Sequence, residues 1–371
     1  MKNKIFTGTG MIDPKTLEEA INKNENIVVV DSSEIYLRKH YNKLKEKGYN
    51  IKILNLKSHD QSDLFNVLEY PYFLYKNGKE SQAIDLVTEI SNIITYSNDV
   101  SDPFWTTTAA GLISGTIIEL FNDAKEDEIN LMSVYKMIAT MHGSFDMLTT
   151  YFKLKKENAP SRTLASTSIN APVDTKLSIA AVASAKSGIF VNDFYNAPIN
   201  LCNVKIKDFE KKKQALFIIN NTKSKATMIS ILLNEILYNQ KFDNPKCTIL
   251  ISNLNAIDYI INLDEFLQTS TYNNVSLLVN IGSKKLFKEK YNINSLENLD
   301  VLETTHITSV KGNVVFPKNK NNFDIKWFDL EKYFKDHNIV NEKRTELDDI
   351  IEKLAKEIEE IEKEEEQNSK K

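Results

Sequence analysis

Two short apolar runs with a helical stretch between them constrain this chain more than any other feature. "NIVVVD" occupies residues 26–31 and "NIKILNL" residues 50–56. Between them Ile35, Leu37, Tyr41 and Leu44 approximate one helical face, and Gly48 stands at the expected C-cap. Strand, helix and strand at this length predict a β-α-β unit whose strands run parallel, because a parallel pair needs a crossover.

The same alternation returns later in the chain. "QALFIIN" at 214–220, "CTILISNL" at 247–254 and "VSLLVNIG" at 275–282 are strand-like, and "VLETTHI" and "NVVFP" follow them. Helix-like segments separate the first three, notably "KATMISILLNEILYNQ". Between about 76 and 196 strand signals vanish. There Asp102 and Pro103 suit an N-cap and a first helical turn. Phe104, Leu112, Ile113, Ile117 and Leu120 supply an apolar face, with further helices over 129–157 and 173–191. The organisation expected is an α/β domain formed by 1–75 and 197–340, with an all-α insertion at 76–196. Residues 341–371 form a tail in which Leu347, Ile351, Leu354, Ile358 and Ile361 repeat at spacings of four and three, as in an acidic amphipathic helix.

With 371 residues, 42% of them hydrophobic, the chain can bury a sizeable core. Its net charge of −4 excludes a global basic field. The tail alone carries 12 Asp/Glu against 7 Lys/Arg, which leaves the body near +1. Arg38, Arg162 and Arg344 are the only arginines, so bidentate phosphate clamps are few. Cys202 and Cys247 are too isolated for a disulfide framework or a metal cage. No run of 18 apolar residues occurs, which predicts a cytoplasmic chain that reaches a membrane only through partners.

"TGTGMID" at 7–13 has the rhythm of a phosphate-binding loop. A working loop reads G-x-x-x-x-G-K-[ST], in which lysine reaches the terminal phosphates and the hydroxyl holds Mg²⁺. With Gly10 as the second glycine, the first falls on Ile5, the lysine on Met11 and the hydroxyl on Ile12. Gly8 and Gly10 could still form an anion nest, reinforced by a helix starting near Asp13–Pro14. A structural turn is the simpler reading. Asp31, at the end of a strand, suits either a functional group or a helix cap.

Other chemistry is weakly signalled. His40, His59, His142, His306 and His337 lack metal-ligand spacing, and no G-x-S-x-G elbow exists. "NGKES" at 77–81 pairs Gly with Lys but puts Phe73 and Glu80 at the other required positions. Phe104 and Trp105 read as core, and Arg162 as a surface salt bridge. Lysines cluster at 43–47, 153–156, 205–213 and 284–290, and only "FKLKKEN" interleaves aromatics with charge as single-strand binding wants.

Taken in order, the motifs resemble the conjugative coupling proteins of type IV secretion systems (the TraG/TraD type). In that family a phosphate loop is followed by a strand ending D-P-K-G-E-L-Y. Here "VVVDSSEIY" at 28–36 matches at Asp31, Glu34 and Tyr36. The family's G-Y, strand and S-D-x-x-N-P-L follow as "KGYNIKILNLKSHDQSDLFNVL", matching at Ser62, Asp63, Asn66 and Leu68. "DPFW" at 102–105 resembles the aromatic signature of the family's helical insertion, and "QALFII" the strand opening its second half. The resemblance runs from about residue 5 to 291 and implies a P-loop NTPase-like (RecA-like) fold, mostly parallel, with an inserted all-α domain.

It also implies that Gly8, Thr9, Gly10 and Asp31 are the vestige of a nucleotide site. The family's L-D-E-F segment falls on "CTILISNL", placing Ser252 and Asn253 at its carboxylates. Mg²⁺ and water activation need those carboxylates. A literal "LDEF" at 263–266 offers Asp264 and Glu265 in the wrong slot, and the family's next glutamine falls near Ile281 or Gly282. The expected function is therefore a catalytically degenerate scaffold subunit of conjugation or type IV secretion, without cofactor. Its expected partners are other secretion subunits, an intact coupling ATPase, single-stranded DNA or a second copy. The alternative is an active or partner-completed ATPase using ATP and Mg²⁺; a further one is a DNA-binding helical module. The family's N-terminal membrane anchor has no counterpart before the loop, so the expectation is an anchor lost or a fragment.

Overall fold

The computed structural model describes residues 3–97, 102–143, 146–191, 197–220, 225–242, 244–257, 260–261, 263, 267, 274–291, 300–307, 310, 312–318 and 324–339. Asp264, Glu265, most of residues 258–273 and the 341–371 tail lie outside the described residues.

Among the described residues seven strands form one sheet: β1 (Lys4–Thr7), β2 (Asn26–Asp31), β3 (Asn50–Asn55), β4 (Gln214–Ile219), β5 (Cys247–Ile251), β6 (Val275–Gly282) and β7 (Asp300–Glu303). Their order is β3-β4-β2-β5-β6-β1-β7, and every pair is parallel. β2 is buried along its whole length, with Val28 opposite Leu216 and Ile249. Its odd and even positions feed two different cores, as a parallel sheet covered on both faces demands. Ile27 and Val29 face α1 (Glu18–Asn22) and α2 (Ile35–Glu46), where Leu17, Ile21, Tyr36, Leu37 and Leu44 are buried. Val28 and Val30 face the larger core shared with the helices of the second half.

Among the described residues seven α-helices run between β3 and β4: α3 (Glu69–Lys76), α4 (Glu80–Thr95), α5 (Pro103–Asp123), α6 (Leu131–Ala139), α7 (Met147–Leu154), α8 (Pro160–Ile169) and α9 (Val173–Ser187). α5 is their axis. Asp102 caps it by accepting the Phe104 amide at 3.0 Å, with Pro103 in the first turn. Leu112, Ile113, Ile117 and Leu120 are fully buried, whereas Phe104, expected in the core, is 42% exposed and packs edge-on against Trp105. α5 and α8 approach closely. A Cβ on Gly111 or Gly115 would lie 2.6 Å from the Leu164 carbonyl oxygen or 2.5 Å from that of Ser161.

The S-D-x-x-N segment stitches this helical block to the sheet. Ser62 Oγ accepts the Asn55 amide at 2.9 Å, and Asp63 Oδ2 accepts the Ile53 amide at 2.6 Å. Asn66, fully buried, donates to the carbonyls of Ile129 (2.8 Å) and Ala197 (2.9 Å), and its Oδ1 accepts the Leu68 amide. Arg162 donates to the Lys155 carbonyl inside the block.

After β4, α10 (Ala226–Asn239) lies against α4, and α11 (Lys284–Tyr291) follows β6. The strand expected at "NVVFP", 313–317, is irregular; Val314 and Phe316 pack on the smaller core while Val315 is exposed. α12 (Leu330–Asp336) then returns to the helical block, where Phe328, Leu330 and Phe334 are buried and Tyr333 meets Tyr151 at 5.3 Å.

Three substitutions test this packing by chemical denaturation. Asn66→Ala leaves two buried carbonyls unpaired, so a loss of about 3 kcal/mol or more is expected. Gly115→Ala forces α5 and α8 apart, with an expected loss of about 1–3 kcal/mol. Gly188→Ala, whose Cβ would meet nothing closer than 3.6 Å, should be neutral or stabilising.

Candidate functional site

A parallel sheet sends all its strand exits to one edge, and ligand sites in such folds sit there. β1, β6 and β7 are neighbours, so the loop after β1 meets the exits of the other two.

Gly8 adopts φ +115° and its amide donates to the Gly282 carbonyl at 3.0 Å. A Cβ on Gly8 would lie 2.6 Å from Thr304 Oγ1, and one on Gly10 would lie 2.5 Å from the Thr305 carbonyl oxygen. The glycines are thus needed because the chain's own 304–305 segment presses into the loop. The Gly10 amide donates to Thr304 Oγ1 at 3.0 Å. Met11 and Thr305 exchange both backbone hydrogen bonds at 2.8 Å, an antiparallel bridge. Asn280 Nδ2 donates to the Gly10 carbonyl at 3.2 Å. Thr9 is exposed at the tip.

The two positions where a phosphate loop carries lysine and hydroxyl are spent on structure. Met11 lies in that bridge. Ile12 is completely buried, and its carbonyl accepts the Tyr36 hydroxyl at 2.8 Å. The helix expected near Asp13–Pro14 begins as a 3-10 turn, Pro14–Leu17, whose first free amide is already taken by the Asp13 carboxylate at 2.9 Å. An anionic cap there opposes a second anion.

Asp31 is fully buried at the end of β2. Its Oδ2 accepts the Leu37 amide at 3.0 Å, and its Oδ1 accepts the Ser33 amide and hydroxyl, both at 3.2 Å. Burial pushes its pKa up, and these hydrogen bonds pull against that. In this geometry the carboxylate caps α2.

At the exit of β5, Ser252 Oγ accepts the Ser32 amide and shares a hydrogen bond with Ser32 Oγ, both at 3.2 Å. Asn253 Oδ1 accepts the Asn255 amide, capping a 3-10 turn. Gly282, at the end of β6, adopts φ +62°. Among the described residues no three His, Cys, Asp or Glu side chains group to hold a metal. Mg²⁺ needs hard anionic oxygens, and residues 11, 12, 252 and 253 supply neither these nor an ammonium, so this donor set does not fit a magnesium nucleotide.

A shallow recess of about 480 Å³ remains beside the loop, lined by Gly8, Thr9, Gly10, Lys284, Glu303 and His306. Sequence reasoning missed Thr304, Thr305 and Asn280. Their signal was positional: "ETTH" leaves a strand that neighbours β1. A larger cavity of about 900 Å³ opens between α4, α9, α10 and α11, with Tyr96, Ile189 and Leu286 on its walls, and contains none of the candidate residues. No helix among the described residues is long and apolar enough to cross a membrane.

No curated protein matches the chain. The trigonal form of the bacterial conjugative coupling protein TrwBdeltaN70, solved in complex with sulphate, matches with TM-score 0.58 at 12% identity. That match covers 80% of this chain and 67% of that one. The unbound monoclinic form gives TM-score 0.59 at 12% identity, covering 80% and 66%. The plasmid coupling protein TrwB in complex with the GTP analogue GDPNP gives 0.51 at 11%, covering 81% and 72%. The chain spans about two thirds of the length of the two TrwBdeltaN70 structures. At such identity these likenesses establish the fold, a P-loop NTPase-like α/β architecture with a mostly parallel sheet. A family profile described as "Type IV secretory system Conjugative DNA transfer" matches residues 7–299. The chain belongs to the type IV secretory system conjugative DNA transfer family, that of the TraG/TraD-type coupling proteins.

Proposed function

We propose that this chain is an interaction or scaffold subunit of conjugative DNA transfer or type IV secretion that keeps the coupling-protein fold without hydrolysing ATP. One observation carries the reading: Thr304 and Thr305 already occupy the amides of Gly10 and Met11, in the loop where a phosphate would sit. Gly8, Thr9, Gly10 and Asp31 are, on this reading, a vestigial nucleotide site. Charge-assisted hydrogen bonds to phosphate contribute about 1.5–3 kcal/mol each, and their loss together removes useful affinity.

The partners proposed are other subunits of the transfer machine, among them an intact coupling ATPase, with single-stranded DNA or a second copy as further ligands. The proposed division of labour gives 1–75 and 197–340 to the degenerate α/β domain and 76–196 to the helical insertion. The location proposed is the cytoplasm, with the membrane reached through those partners.

Isothermal titration of the full chain with Mg-ATP should give no binding heat, and purified protein should show no turnover. Robust turnover by pure protein overturns the proposal. Turnover that appears only with an intact coupling protein supports the partner-completed ATPase instead. Restoring the motif should not restore the chemistry: Met11→Lys with Ile12→Ser is expected to remain inactive. It should also lose about 3 kcal/mol or more in denaturant titrations, because Ile12 is core.

A further inference from the structure

α10 is the helix that joins the sheet layer to the helical block, and a carboxyl group lies inside that junction. Glu235, in the middle of α10, is completely buried, and neither Oε1 nor Oε2 has a hydrogen-bond partner. Across the seam stands Glu69, in the first turn of α3; it is 4% exposed and its Oε2 is also unpartnered. Asn239 Nδ2 and Gln240 Nε2 are buried without partners nearby on the chain, while Asn239 Oδ1 accepts the Tyr70 hydroxyl at 2.8 Å.

The charged surroundings do not compensate Glu235. From α3 it meets Glu69 and Tyr70. The 205–210 segment contributes Lys205, Lys207, Asp208 and Glu210, whose influence falls on Glu69 and Tyr70. From α4, Glu89 takes the Asn234 amide at 2.7 Å and faces Lys241 at 3.9 Å, and Asp85 acts on Glu89 and Tyr238. Cys202, beside Glu69, is a buried thiol. An ionised carboxylate without partners in such a place is strongly disfavoured, so the group neutralises instead.

We propose that Glu235 and Glu69 form an internal proton-binding site, which holds the α10 seam closed when protonated and loosens it when the proton is lost. Burial raises the carboxyl of Glu235 well above the ordinary range, and the charge of Glu69 raises it further. Burial also lifts Glu69, to about 7, against the pull of Lys205 and Lys207. A raised carboxyl stabilises the fold fully below the unfolded value of about 4.3, and that contribution is lost as pH rises towards the folded value. The window therefore opens near pH 5 and extends through neutrality.

The test is denaturant unfolding of the full chain between pH 5 and 9 for wild type, Glu235→Gln and the exposed control Glu210→Gln. The ratio of unfolding constants, wild type over Glu235→Gln, should grow by up to tenfold per pH unit. The control should track wild type. A ratio independent of pH overturns the proposal. Should Glu235→Gln not fold, Glu69→Gln replaces it and should flatten the same slope in part. Infrared difference spectra of wild type labelled with ¹³C-glutamate give an independent readout. A buried carboxylic acid signal that persists at pH 6 and fades above neutrality supports the site, and no such signal at pH 6 sinks it.

Discussion

Asn66 fixes where the helical block sits. Its amide spans the carbonyls of Ile129 and Ala197, and its own carbonyl oxygen takes the Leu68 amide. These three stretches are the chain leaving the sheet, a turn between α5 and α6, and the approach to β4. Only an amide side chain offers two donors and an acceptor in this space; an aspartate would face two carbonyls with no proton to give. With Ser62 and Asp63 pinned to β3, the block cannot slide along the sheet. One continuous apolar core then runs from Val28 and Val30 through Leu86 to Leu112 and Ile138.

The same edge explains what became of the loop. In a parallel sheet β6, β1 and β7 all end together, so any loop after β1 is pressed from both sides. A phosphate loop keeps that space for its ligand by presenting charge, since an ammonium and bound Mg²⁺ need room and water. Here Met11 and Ile12 carry no charge. Ile12 gains a place in the core with Leu17 and Tyr36, and Met11 gains a strand-like partner in Thr305. The glycines remain indispensable, but Thr304 Oγ1 and the Thr305 carbonyl now make them so. The loop's amides and carbonyls are paired by hydrogen bonds within the chain.

Much of the fold was legible because periodicity and caps are local. "NIVVVD" and "QALFII" became β2 and β4, and Asp102-Pro103 opened α5 as its residue types demand. That β4 separates β2 from β3 was not legible, since strand order depends on pairing between segments some 160–190 residues apart. "NVVFP" at 313–317 read as a strand because it is a short apolar run, yet it pairs with no strand among the described residues. At the site, the missing lysine and hydroxyl could be read directly, and so could the alternatives for Asp31, which caps α2. Thr304 could not, because a threonine after a weak strand carries no signal until β7 is known to lie beside β1.

Two buried glutamates show how differently this chain treats charge. Glu119, on α5, lies 3.0 Å from Lys155, just past the end of α7, and also accepts the Ser161 hydroxyl from α8, so its carboxylate has a cation and a donor beside it. Glu235, equally buried on α10, has no such answer. A methionine of similar volume would pack there without the cost of burying a charge. A carboxyl in that position ties the docking of α3 on α10 to a proton, because the seam tolerates the acid and not the carboxylate. Asn66 lies three residues before Glu69, so strain from an ionised pair would bear on the stretch of chain that positions the helical block.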